Sequence, residues 1–526
     1  MYNKTFTTLF IIFLFSLSLF LRFYKLDQIP ASLNWDEVAA GYNAFTISNW
    51  GADEFGNKFP IVFKSFGDDK HPVHIYITAI LVKIFGLNDF VTRSGSALFG
   101  SIGVIAFYFL IKELTGSKLN AFLGGLFLSI SSYHIHFSRG LWENNFAFSF
   151  FIIGLTLFYF GIKNKNFLIP ISYFSFGLSF FSYHSAKIVV PPVVLLLTLL
   201  NIKALLKNKI VLGWIILVGI FFGSLVLIEP NILGFARASQ TKFSKEQIER
   251  AGGKFNLVLA NYKNYFDYNY LFVKGDQTPR GSVKAFGQFY KLDAILIIIS
   301  LIAFLLSFKN RWKELSLILL VLILSPIAGA ISSVDINATR TMFMVFPLIY
   351  LSSIGATFLV GLFKNKYLKS VIFVVIVSIL SFEFYKYYDY YLNVYSKKEA
   401  IEWQYGMKQI VEYSQKNKEF TKIYVDKIRQ QPYIFFLYYL KTPLPELLKT
   451  VKYDESESKS FNTVLSFGKY QFGGWNIIES YPNKGILYAV TPSFYGGLRY
   501  INSFNVNKLI KYPDKSDAFY IVEGYE

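Results

Sequence analysis

Eleven apolar stretches, most of them near the length at which a helix crosses a bilayer, limit what this 526-residue chain can fold into. They lie at about 5–24, 93–112, 119–136, 144–162, 167–184, 186–202, 209–229, 293–308, 313–332, 341–362 and 368–388. A helix needs about 20 residues to span hydrocarbon. Inside the bilayer every backbone N–H and C=O must be paired, which a helix does within its own segment. The runs do not alternate polar and apolar residues, so strands are a poor alternative. The expected fold is a polytopic α-helical membrane protein with about 11 transmembrane helices. Composition agrees: 53% of residues are apolar and 17% charged, against about 25% charged in a soluble domain. This excludes a disordered chain, a collagen and a conventional soluble enzyme. Cysteine is absent, which excludes disulfides, a thiolate zinc site and a Cys nucleophile.

The net charge of +19 would suggest nucleic acid in a soluble protein. Here many of the basic residues sit in short connections between apolar runs, and no nucleic-acid partner is expected. Lys112 to Lys118, Lys163 to Lys165, Lys203 to Lys209, Lys309 to Lys313 and Lys364 to Lys369 form one set of connections, with two apolar runs between each. Basic connections stay in the cytoplasm. Eleven crossings then put the N-terminus inside and the C-terminus outside. Val73 to Phe85 is apolar but short and contains Lys83. Parity makes it a juxtamembrane or re-entrant helix. The first run reads as an anchor, with a cleaved signal peptide as the alternative.

The expected organisation is a membrane domain over 1–388, with outer loops at about 25–92 and 230–292, and an extracytoplasmic domain over 389–526. The tail carries more charge and short β-branched and aromatic runs at 422–425, 486–490 and 518–522, with a helix-like stretch at 401–415. It reads as a small α/β domain.

Polar residues at membrane depth need a reason to be there. Adjacent Asp36 and Glu37, in Asn34-Trp35-Asp36-Glu37, repel one another, which can raise one pKa and leave a general base. The bland reading is a solvated loop with Asp36 as the N-cap of a helix over 38–48. In Gly67-Asp68-Asp69-Lys70-His71-Pro72, Asp68 and Asp69 are candidates for a divalent cation, and Lys70 and His71 for a phosphate. Taken alone, a polar cap at a helix start accounts for them better. Arg93 is either a snorkelling cation or the partner of a buried anion, and Ser96 and Gly100 permit close helix approach. Arg139 and Glu143 flank the start of the run at 144. His184, Lys187, Arg280 and Arg340 lie at other outer ends, against the positive-inside bias. Recurring cations at one face are candidates to meet an anion such as a lipid phosphate.

Together these residues resemble the GT-C type membrane glycosyltransferases, and glycosyltransferase family 39 in particular, which contains protein O-mannosyltransferases and aminoarabinose-transferase-like enzymes. The resemblance rests on Asp36-Glu37 after the first helix, His71-Pro72 opening a helix with Tyr76, Arg93 with its small-residue run, Arg139 with Glu143, and Arg340 followed by Pro347. It covers roughly residues 1–390. Val73 stands where the family often has a second proline. The resemblance implies transfer of a sugar from a polyprenyl-phosphate donor to a protein, lipid or glycan acceptor at the outer face of a bacterial or archaeal cytoplasmic membrane. Asp36 would be the catalytic carboxylate and Glu37 its helper in positioning substrate. Arg93, Arg139 and Arg340 would serve phosphate or structural ion pairs. Trp35 and Trp142 could stack on a sugar. The lipid-phosphate sugar is a substrate, and no cofactor is required unless a divalent cation takes part. A lipid or glycan flippase and a polymer ligase are the rival readings.

Overall fold

The computed structural model describes residues 2–163, 165–234, 243–332, 335–427, 431–454, 463–473 and 484–525. The side chains of residues 2–6, 68 and 307–310 lie outside that description. Among the expected basic and acidic groups this removes the side chains of Lys4, at the start of the first apolar run, Asp68 and Lys309.

Helices dominate up to residue 390. They are α1 (Tyr2–Phe23), α2 (Trp35–Trp50), α3 (Pro72–Phe85), α4 (Asp89–Thr115), α5 (Lys118–Ile130) and α6 (Ser132–Ser138). Then come α7 (Glu143–Lys163), α8 (Leu168–Phe180), α9 (Ala186–Leu200), α10 (Lys209–Ile228) and α11 (Lys254–Asn264). The last long ones are α12 (Lys291–Leu324), α13 (Val345–Gly361) and α14 (Lys366–Tyr390). Among the described residues six helical segments are long and apolar enough to cross a membrane: Asp89–Thr115, Glu143–Lys163, Lys209–Ile228, Arg311–Ala330, Met342–Gly361 and Lys366–Lys398. Five shorter apolar helices, among them α3 and α5, accompany them. The chain is a polytopic helical membrane protein, and a count of eleven rests on counting short helices as crossings.

Two expected boundaries are corrected. The run at 119–136 is not one helix: Ser131 leaves helical geometry (ψ 124°) and caps α6 through its side chain. The expected loop at Lys309 to Lys313 is a kink inside α12, at Arg311 (φ −122°, ψ 15°). The Arg311 guanidinium meets the Glu314 carboxylate and Tyr350 Oη, so the charge at the break is paired.

The chain divides into two compact units that interrupt one another in sequence. The first contains residues 1–24 and 96–391. In it α13 packs along α12, α7 against α8, and α5 against α13. Gly355 makes the α12–α13 contact: a Cβ there would collide with the Leu296 carbonyl. Helix α10 buries little of its apolar surface and exposes Ile210, Trp214, Ile220 and Leu227, as a lipid-facing helix does.

The second unit joins residues 25–95 to 392–526. Its centre is a seven-stranded sheet of order β4-β5-β6-β3-β7-β9-β8. The strands are β3 (Lys422–Asp426), β4 (Lys452–Asp454), β5 (Thr463–Phe467), β6 (Tyr470–Gly473), β7 (Ile486–Val490), β8 (Phe504–Lys511) and β9 (Asp517–Gly524). β3 runs parallel to both neighbours, β6 and β7, and the other pairs are antiparallel. The three strand runs read from the sequence are β3, β7 and β9. Helices α15 (Met407–Lys416) and α16 (Pro432–Leu440) belong to this unit, and α2 packs against α3 and α16. The first-loop segment, grouped by sequence with the membrane part, thus shares its compact unit with the tail.

Candidate active site

The segment Asn34-Trp35-Asp36-Glu37 is a helix start, and its geometry follows from a capping box. Asn34, not Asp36, is the N-cap: its side-chain oxygen accepts from Asp36 N (2.9 Å) and Glu37 N (3.1 Å). Glu37 Oε2 accepts from Asn34 N (3.0 Å) and Asn34 Nδ2 (3.2 Å). Two acids in the first turn also oppose the positive end of the α2 dipole. Adjacent residues on a helix point about 100° apart, and the two acids accordingly meet different surroundings.

Glu37 points inward and is fully buried with Arg93. The pair is bidentate, with Arg93 Nε to Glu37 Oε1 at 2.8 Å and Arg93 Nη2 to Glu37 Oε2 at 3.0 Å. The remaining guanidinium protons go to backbone carbonyls: Leu26 O (3.1 Å), Pro30 O (3.0 Å) and Ser32 O (2.5 Å). All five N–H donors of an arginine are thereby engaged, and the Trp403 ring lies 5.5 Å from the guanidinium. Arg93 therefore binds the chain between α1 and α2 to α4. Losing one member of such a buried pair costs about 3–5 kcal/mol. The placement of Glu37 and Arg93 is structural, and neither presents a group to a ligand in this geometry.

Asp36 keeps about a quarter of its side chain exposed and pairs with Lys70 Nζ at 2.8 Å. Lys70 ends a hairpin of β1 (Phe63–Ser65) and β2 (Asp68–Lys70), which turns through the left-handed residues Phe66 and Gly67. His71 follows as the buried N-cap residue of α3, with Pro72 at the first helical position. The helix opens on His-Pro with Val73 in place of a second proline, and Tyr76 Oη donates to Pro60 O at 3.0 Å. Lys70 thus stands beside the candidate base, whereas His71 is part of the helix start. Among the described residues no group of three or more His, Asp or Glu is placed to hold a metal ion. The Asp68 side chain lies outside the description.

In the other unit Arg139 is buried and caps α1. Its Nη1 donates to Leu21 O (2.8 Å) and Arg22 O (3.2 Å), and its Nη2 to Tyr24 O (2.8 Å). A cation at a helix C-terminus satisfies carbonyls that have no intrahelical partner. Arg22 donates to Ser18 O, Ser129 O and Ser138 Oγ and meets His134 Nδ1 at 2.7 Å. Gly100 leaves the room for this, since a Cβ there would lie 2.5 Å from Ser138 Cβ. Glu143 opens α7. Beside it Asn145 Nδ2 donates to Ser96 O (2.8 Å) and Ser96 Oγ (3.0 Å).

His184, Lys187 and Arg340 come together in one cavity of about 690 Å³ in this first unit. Lys254, at the start of α11, joins them and was not singled out in the sequence. Ile188, Leu233, Phe243 and Ile331 supply apolar wall, and no carboxylate is among the described residues that line it. Lys187 Nζ is 3.4 Å from His184 Nδ1, and Arg340 Nη1 donates to Ser332 Oγ at 2.5 Å. Asp276 fixes the backbone just before Arg340: its Oδ2 accepts from Ala338 N (2.7 Å), and its Oδ1 from Thr278 N (2.8 Å) and Thr278 Oγ1 (2.6 Å). Burial raises the Asp276 carboxyl above its usual range. Arg280 is not among the lining residues; its carbonyl lies 2.8 Å from His136 Nε2. A cavity with several cations and apolar wall suits an amphiphilic anion.

Comparison with known proteins bears on this arrangement. The family model for dolichyl-phosphate-mannose-protein mannosyltransferase matches residues 69–228. An uncharacterised protein of Aquifex aeolicus (strain VF5) is 31% identical over 186 residues, which is 33% of this chain. The chain spans 37% of the length of that relative. Among solved structures, apo ArnT from Cupriavidus metallidurans aligns with a TM-score of 0.55 at 13% identity, over 99% of this chain and 98% of its own. ArnT bound to undecaprenyl phosphate aligns at 0.53 and 12% identity, over 97% of each chain. The Archaeoglobus fulgidus oligosaccharyltransferase aligns at 0.50 and 13% identity, over 84% of this chain and 65% of its own. The fold of these solved structures is shared along most or nearly all of the chain, and the similarity in sequence to the mannosyltransferase family model covers residues 69–228.

Proposed function

We propose that this chain transfers a sugar from a polyprenyl-phosphate donor to an acceptor at the non-cytoplasmic face of the membrane, with Asp36 as the catalytic carboxylate. The observation that carries the reading is the placement of Asp36. It is the partly exposed member of an acid pair, its helix start is braced by Asn34, Glu37 and Arg93, and Lys70 lies 2.8 Å away. The likeness to ArnT, which has been solved with undecaprenyl phosphate, supports the donor class.

In the proposed step Asp36 takes the proton of an acceptor hydroxyl or amine. The freed oxygen or nitrogen bonds to the anomeric carbon as the bond from that carbon to the phosphate oxygen breaks. The electron pair leaves with polyprenyl phosphate, whose growing negative charge is stabilised by fixed cations. Lys70 is one such cation. In the other unit, His184, Lys187, Lys254 and Arg340 line a cavity whose cations and apolar wall suit an anion with an apolar chain. Glu37, Arg93 and Arg139 hold backbone in place. A divalent cation enters no step here. The basic connections of the membrane part lie in the cytoplasm with the N-terminus, and the tail lies outside.

The test is product analysis. Purified protein in liposomes with a polyprenyl-phosphate sugar labelled in both parts should release labelled polyprenyl phosphate together with a glycosylated acceptor, or slowly release free sugar where acceptor is absent. Movement of intact donor between leaflets with no bond broken would contradict the reading and favour a flippase.

A further inference from the structure

One contact of the tail with the helix that carries Asp36 is made by an amide at its first turn. Gln404 is buried and has φ +46°, in the left-handed region. Glycine adopts that region without cost, and other residues adopt it uncommonly. A glutamine kept there in place of glycine points to a use for its side chain. Gln404 Oε1 accepts from Trp35 N at 3.1 Å, and Gln404 Nε2 donates to Glu402 O at 2.9 Å. Trp35 N is the first N–H of α2, one of the donors that no helical carbonyl reaches. Asn34 satisfies the next two, on Asp36 and Glu37. The cap of the helix that carries Asp36 is therefore shared between its own N-cap and a residue some 370 positions away.

Neighbouring tail contacts hold the same region. Trp403 lies against Arg93 and donates from Nε1 to Tyr395 Oη at 3.0 Å. Lys408 Nζ meets Asp89 Oδ2 at 2.9 Å, Tyr438 Oη meets Thr92 Oγ1 at 2.7 Å, and Tyr42 Oη donates to Thr442 O at 2.9 Å. The tail segments 395–408 and 438–442 are built into the support of the acidic loop.

We propose that Gln404 is a positioning residue for Asp36, and that the tail acts in catalysis by completing the α2 cap. This rests on the reading of Asp36 as the base. Gln404→Gly fits the backbone better than glutamine, so the melting temperature of the full chain in detergent should hold or rise. Its kcat should nevertheless fall about 10- to 100-fold, with KM for the lipid donor unchanged. Gln404→Glu keeps an acceptor for Trp35 N and should recover most of kcat. It also adds a negative charge at the first turn of α2, the helix that carries Asp36, which moves the acid limb of the kcat–pH profile to higher pH. Hydrogen exchange at the Trp35 amide supplies a readout that needs no activity: it should be protected in the native chain and in Gln404→Glu, and fast in Gln404→Gly. Native kcat with a protected Trp35 amide in Gln404→Gly would overturn the proposal. So would parallel loss of kcat and melting temperature that Gln404→Glu fails to restore. Asp36→Asn separates the two claims: if it retains transfer, the base is misassigned whatever Gln404 does. If it is inactive while Gln404→Gly is native in kcat and exchange, only the positioning role falls.

Discussion

Two adjacent acids look alike in sequence and take opposite parts in the structure. Glu37 disappears into a bidentate pair with Arg93, while Asp36 stays accessible beside Lys70. A third acid, Glu54, was not distinguished by sequence at all. It is buried, its N–H donates to Asn43 Oδ1 at 2.9 Å, and burial with the neighbouring Asp53 charge pushes its carboxyl from the ordinary 4.5 up to about 8. The folded state therefore holds this proton more tightly than the unfolded chain does. The stabilisation is complete below about pH 4.5 and is lost as pH rises towards 8, by up to about 1.4 kcal/mol per pH unit. The melting temperature in detergent should fall between pH 6 and pH 8, and Glu54→Gln should flatten that fall. An unchanged slope in the variant would count against a protonated Glu54. At this scale the sequence shows which residues carry chemistry, because charge at membrane depth is conspicuous. It does not show which charges cancel. Arg93 and Arg139 read as serving either a phosphate or a structural ion pair; in the fold Arg93 meets a carboxylate and Arg139 backbone carbonyls, partners whose approach depends on the fold.

Apolar runs become helices, and their lengths do not map one to one. The run at 119–136 breaks at Ser131, and the runs at 293–308 and 313–332 join through a kink at Arg311. Hydropathy records where lipid or protein interior surrounds the chain. A serine that leaves helical geometry, or an arginine paired across a kink, changes the helix without changing that average. Close approach is legible only in part: the small residues near Arg93 were visible, whereas Gly355 was one glycine in an apolar run. A side chain there would meet the Leu296 backbone. Gly355→Leu should destabilise the membrane unit by about 1–3 kcal/mol, read as a lower melting temperature in detergent. A native melting curve would mean that the α12–α13 contact yields easily. The tail shows the converse. Its β-branched and aromatic runs give β3, β7 and β9 directly, because strands buried along most of their length read as short, nearly continuous apolar runs.

For the molecule as a whole, the likeness to ArnT along nearly the full chain says that the fold is shared, and the proposed activity builds on it. What no linear pattern discloses is that residues 25–95 and 392–526 form one compact unit. The sequence puts the acidic loop with the helices beside it, since chain neighbours are the default partners. The contacts of Trp35, Tyr42, Asp89, Thr92 and Arg93 with the tail reverse that grouping. The basic cavity is hidden in a similar way. Its lysines, histidine and arginine come from positions 184, 187, 254 and 340, and only packing shows that they share about 690 Å³. The account stands on Asp36 as the base, and one comparison tests it most directly. Asp36→Asn, reconstituted beside the native chain with the same doubly labelled lipid donor, should keep its helices and its affinity for the polyprenyl-phosphate donor. It should lose sugar transfer by a factor of about 10² to 10⁴. Transfer at the native rate by that variant would contradict the account.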